Sequence, residues 1–87
     1  MKTPSGTLQI LVIKLGWVLI GQVTETPDEF LIINTRCIRK WGTKAGLGEL
    51  ALQGPRKDSV LDFVGVARVN RGAVLFRIDC DPPKWEP

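Results

Sequence analysis

The chain predicts an all-β domain, a small barrel or roll of five to six strands. Three observations carry that prediction. β-branched and large apolar residues recur in short runs, turn residues interrupt those runs every eight to twelve positions, and no stretch sustains a helical period. At 87 residues, with 44% hydrophobic and 24% charged residues, one small folded domain spanning 1–87 is expected, with 1–6 and 82–87 as tails.

Thr7 to Leu15 (TLQILVIKL) reads as a mostly buried strand, because β-branched side chains lose rotamer freedom in a helix. Gly16 breaks it. Trp17 to Thr24 resumes the pattern, and Gly21 inside it suggests a bulge or a close backbone approach. Thr26-Pro27-Asp28-Glu29 is a turn, since proline pre-sets φ and aspartate bonds its own backbone. Phe30 to Asn34 forms a third strand whose pattern can continue through Trp41. Gly42 to Gly48 connects it to Glu49–Gln53, either a short strand or one helical turn. Five residues between glycines are too few to hold a helix alone. Phe63–Val69 and Ala73–Asp79 read as two strands of a hairpin around Asn70-Arg71-Gly72. Pro82-Pro83 ends pairing, and Trp85 is positioned to dock back on the domain.

The chemistry is defined first by what is missing. Histidine is absent, which removes Ser-His-Asp and Cys-His nucleophile pairs and the usual zinc and iron sites. Cys37 and Cys80 are too far apart for a metal-binding pair and too few for a disulfide scaffold. Their simplest reading is as small buried apolar groups. The carboxylates Asp28, Glu29, Asp79 and Asp81 fall at turns or strand ends, a solvated setting unlike the cleft that a working pair needs. No enzyme activity, cofactor or metal is expected. The apolar run near the start is too short for a membrane span of roughly 20 residues, and no small-residue cleavage site follows it. A cytosolic protein without membrane association is the expectation.

The net charge of +3 is unevenly spread. Residues 36–57 carry six cations (Arg36, Arg39, Lys40, Lys44, Arg56 and Lys57) against Glu49 alone. Such asymmetry points to an anionic partner, with a solvated lysine-rich loop as the plain alternative. The candidate ligand-binding set is Arg36, Arg39, Lys40, Trp41, Gly42, Thr43, Lys44, Gly46 and Gly48. Arginine forks match phosphate oxygens. Glycines let backbone amides approach an anion, threonine adds a hydroxyl, and tryptophan offers a stacking face. The glycine spacing fits neither the Walker loop nor the dinucleotide fingerprint. Each residue also has a structural reading. Trp41 taken alone is better read as core, Arg36 and Arg39 can pair with Glu49 or Asp62, and the glycines can simply serve positive-φ turns.

The central run resembles a group of small bacteriophage and prophage proteins with no assigned function. The likeness rests on Arg36, Ile38-Arg39, Trp41-Gly42-Thr43, Gly46-Leu47-Gly48-Glu49-Leu50 and Gly54-Pro55. Val60-Leu61-Asp62, Ile78-Asp79-Cys80 and Lys84-Trp85 extend it over most of residues 10 to 85. It implies a phage origin and brings no activity or catalytic residue with it.

Three functions follow as expectations. The first is a non-enzymatic viral protein holding a phosphate-bearing small ligand such as a nucleotide, with anti-defence sequestration of a host signal as its use. The second is a homo-oligomeric structural or assembly protein whose glycine-rich loop is a subunit interface, Trp41 being its anchor. The third is a nucleic-acid-binding accessory protein, less favoured because a net +3 is modest for a duplex binder.

Overall fold

The computed structural model describes residues 7–42 and 46–85; Thr43, Lys44 and both chain ends lie outside the described residues. Among the described residues, five strands form one antiparallel sheet in the order β4-β3-β2-β1-β5. They are β1 (Thr7–Ile13), β2 (Trp17–Glu25), β3 (Glu29–Lys40), β4 (Val60–Asn70) and β5 (Val74–Asp79). Two short helices, α1 (Leu47–Gln53) and α2 (Pro82–Trp85), complete the fold. The all-β prediction holds, but β4 and β5 do not pair, so the sheet does not close into a barrel.

β1 and β2 pair residue for residue, Ile10 opposite Ile20 and Val12 opposite Val18. A 3-10 turn joins them, with Leu15 at φ 71 and Gly16 at φ 88. Gly21 marks a register shift between β2 and β3, as its place in the strand pattern suggests. A Cβ there would come within 2.8 Å of the Ile33 carbonyl oxygen and overlap the Ile32 side chain. Only glycine permits that approach of β3 to β2. On β3, Asn34 takes φ 53 and the neighbouring Thr35 is fully buried, its hydroxyl donating to the Ile32 carbonyl at 2.9 Å.

Alternation along the strands sends apolar residues to both faces, and each face has its own core. On one face Ile10, Val18, Ile20 and Ile38 pack beneath Leu47, Leu50, Ala51 and Trp85 from the two helices. On the other, Leu11, Leu19, Phe30 and Ile32 cluster with Val69 of β4 and Val74 of β5. Strands at opposite edges of the sheet thus reach one cluster, so the sheet curls around that face. Arg71 and Arg77 cap Phe30 with their guanidinium groups 5.2 and 5.0 Å from its ring. Glu25 pairs with both arginines.

The expected hairpin around Asn70-Arg71-Gly72 is not formed. Arg71–Ala73 make a 3-10 turn, β4 pairs with β3, and β5 crosses to pair with β1. Gly72 does not adopt the positive φ that the hairpin loop would need, and burial of Val69 and Val74 in one cluster outweighs the local turn signal.

Residues 49–53 resolve as part of α1. Seven residues cannot hold a helix in water, so packing holds it: Leu47, Leu50 and Ala51 lie on one side and are buried. Gly46 (φ 86) and Gly54 (φ 82) bracket it, and the Gly54 amide donates to the Leu50 carbonyl at 2.8 Å. Trp85 docks as anticipated: it is 5% exposed and its indole N–H donates to the Ala51 carbonyl at 3.0 Å. Cys37 and Cys80 are free and half-buried, and no disulfide joins them. Among the described residues no helix is long and apolar enough to cross a membrane.

Candidate functional site

At the end of β3 the chain leaves the sheet through Trp41 and Gly42, and two loops meet there. Gly42 has φ 70, and a Cβ on it would run into the Ser59 amide and the Asp58 backbone. Absence of a side chain is therefore what lets the β3 exit press against the loop 54–59. A hydroxyl relay fastens the contact. The Arg56 amide donates to Ser59 Oγ at 2.8 Å, and that hydroxyl donates to the Trp41 carbonyl at 2.6 Å. Between the loops opens a cavity of about 350 Å³, lined by Gly42, Glu49, Arg56, Lys57 and Asp58. Its size falls within the range of small-molecule sites, roughly 300–1,000 Å³.

Trp41 corrects the core reading: it is 42% exposed. Its ring edge passes beside Gly46, where an added Cβ would sit 3.8 Å from Cζ3. The side chain leans on a glycine and leaves part of its surface to solvent. A core role would have required a buried position on one of the two sheet faces, and β3 ends one residue before it.

The predicted cations are not brought together. Alternation on β3 puts Arg36 on the face of Ile38, which the helices cover farther along, and Arg39 on the opposite face with Cys37. Arg39 is held in an ion pair with Asp62 of the neighbouring β4, one of the two partners its sequence context suggested. Lys40 is exposed at the strand end. Gly48 is exposed on α1 with open space around it, so it neither lines the cavity nor makes a close approach. Of the nine candidates, Gly42 lines the cavity, Trp41 and Gly46 lie against each other without lining it, and Thr43 and Lys44 lie outside the described residues.

Arg56 and Lys57 line the cavity and were not among the candidates. Their signal was already present in the cation count for residues 36–57; an exposed polar loop after Pro55 gave no local reason to join them to the glycines. Arg56 Nε lies 4.0 Å from Glu49 Oε2, so the lining mixes charges of both signs. No group of three metal-ligating side chains occurs among the described residues. Burial, with the neighbouring Asp79 charge adding to it, pushes the Cys80 thiol up to about 12, which leaves it protonated and a poor nucleophile near neutrality.

Comparison with protein-family models, curated proteins and solved structures finds no match to this chain.

Proposed function

We propose that this protein is a non-enzymatic binding module for a small phosphate-bearing ligand of the nucleotide class, seated between the β3 exit and the loop 54–59. The observation that carries this reading is the mixed lining of the cavity, whose Gly42 directly follows the half-exposed Trp41 in the chain. Bare phosphate would meet Glu49 and Asp58 as well as Arg56 and Lys57, and repulsion would offset much of the attraction. A nucleotide divides its chemistry to suit that lining. Its phosphate takes the two cations, its sugar hydroxyls donate to a carboxylate, and its base has a flat face for Trp41. A phage origin would give such a module a use in sequestering a host nucleotide signal.

Duplex nucleic acid suits the surface less well, since Arg36 and Arg39 sit on opposite faces of the sheet and Arg39 is neutralised by Asp62. Calorimetric titration against mononucleotides, dinucleotides, cyclic oligonucleotides and inorganic phosphate tests the reading. Heat is expected from a nucleotide and not from phosphate alone. Folded protein giving no heat with any of them rejects it.

A further inference from the structure

The cavity between the loops holds four charged side chains, and they are not equivalent. Glu49 and Arg56 are partners to each other, Oε2 to Nε at 4.0 Å. Lys57 and Asp58 line the same cavity, are exposed, and make no ion pair with any described residue.

Those two residues are neighbours at the tip of one turn. The Ser59 amide donates to the Arg56 carbonyl at 3.0 Å, and the Arg56 amide donates to Ser59 Oγ at 2.8 Å, so residues 56–59 close on themselves. The turn is also pinned from outside. Ser59 is bonded to the Trp41 carbonyl, Gly42 presses on the Asp58 backbone, and Gly54, buried at φ 82, abuts the Lys84 carbonyl at the start of the loop. The backbone that carries Lys57 and Asp58 is therefore set before any ligand arrives, which lowers the ordering cost of binding.

A cation and an anion side by side, neither satisfied within the fold, match a ligand with an anion and hydrogen-bond donors close together. In a nucleotide these are the phosphate and the sugar. Ribose sets its 2′- and 3′-hydroxyls next to each other, two donors for the two oxygens of one carboxylate, whereas 2′-deoxyribose offers one. Dinucleotide-binding folds read the ribose 2′-hydroxyl with an acidic side chain in the same way.

Resting on the nucleotide reading above, we propose that Asp58 reads the sugar and that the ligand is a ribonucleotide rather than a deoxyribonucleotide. Lys57 takes the phosphate beside Arg56, which Glu49 holds in place. Glu49 is the poorer acceptor for a sugar, because a hydroxyl would compete with Arg56 for it. Asp58 acts on the ligand with two signs. Its oxygens accept from the ribose, and its charge repels the phosphate. Removing it therefore weakens one class of ligand and strengthens another, whereas a residue that only shapes the turn would move all ligands alike.

Calorimetric titration with the four ribonucleoside 5′-monophosphates, their 2′-deoxy counterparts and inorganic phosphate tests the assignment on the unaltered chain, Asp58→Ala and Asp58→Asn. At least one ribonucleotide is expected to bind about tenfold more tightly than its deoxy counterpart. That is the low end for a hydrogen bond to a charged acceptor, because Asp58 is exposed to water. Asp58→Ala is expected to weaken the ribonucleotide and strengthen the deoxyribonucleotide until the two bind alike. Asp58→Asn keeps one acceptor oxygen and loses the charge, so part of the preference should remain. The Asp58 side chain makes no hydrogen bond among the described residues, and circular dichroism should show both variants folded. Equal binding of the two sugars by the unaltered chain overturns the assignment and leaves the nucleotide seat standing. A preference that survives Asp58→Ala overturns it too. Heat from none of the nucleotides removes the seat itself, and the assignment with it.

Discussion

Trp85→Ala should bring the domain close to unfolding. The side chain is 5% exposed and sits in the helix-side core with Leu47, Leu50, Ala51 and Ile10. Truncating a buried tryptophan costs about 3–5 kcal/mol, from lost transfer energy and the cavity left behind. A domain of this length has on the order of 4–13 kcal/mol in total, so the loss takes about a quarter of it or more. Trp85→Phe separates the two contributions. It keeps an aromatic body and removes the indole donor, but the Ala51 carbonyl still accepts from the Asp81 amide at 3.1 Å. No buried acceptor is orphaned, and the hydrogen bond itself is worth about 0.5–1.5 kcal/mol. The phenylalanine variant should therefore lose roughly 1–3 kcal/mol, including some lost contact area. Urea denaturation followed by circular dichroism reads both values. A loss under about 1 kcal/mol for Trp85→Ala would mean that the C-terminal turn does not close this core.

Gly42→Ala forces a side chain at φ 70 into the Ser59 amide and should cost about 1–3 kcal/mol in the same assay. Arg39→Ala breaks only an exposed ion pair, so stability should change by about 0–1 kcal/mol and nucleotide affinity should stay unchanged. Trp41→Ala should fold normally and lose about 1–3 kcal/mol of nucleotide binding by calorimetry, the worth of one stacked base. Cys80 gives a pH dependence: its folded pKa is raised, so above about pH 9 the unfolded chain releases a proton that the folded state retains. Stability should fall as pH rises from about 9 towards 12, and Cys80→Ala should remove that part of the slope in denaturation curves measured across the range.

The strands were legible where side-chain type and alternation agree. β1 and β2 follow directly from their β-branched runs, and Gly21 identified the place where β3 crowds β2. The docking of Trp85 was legible too, as a large aromatic placed after a proline stop. The connection from β4 to β5 was not, because its short glycine-containing loop favours a hairpin locally while Val69 and Val74 are drawn to one distant cluster. α1 was undecidable for a related reason: its stability comes from the sheet beneath Leu50 and Ala51 rather than from its own residues. At the site, Gly42 of the run 36–48 lines the cavity, but Gly48 does not, and alternation on β3 separates Arg36 from Arg39. The cations that line the cavity, Arg56 and Lys57, come from the loop after α1, outside that run. Loop-to-loop contact through Gly42 and Ser59 is a tertiary fact with no counterpart in spacing.

Titration of the isotope-labelled protein with a mononucleotide, followed by amide and indole chemical shifts, tests the proposed seat most directly. The expected result is saturable shifts at the Trp41 indole and at Gly42, Arg56, Lys57 and Asp58, with β3 at Arg36 and Arg39 unmoved. Shifts centred on those two arginines, or no shifts at all with the fold intact, would contradict it.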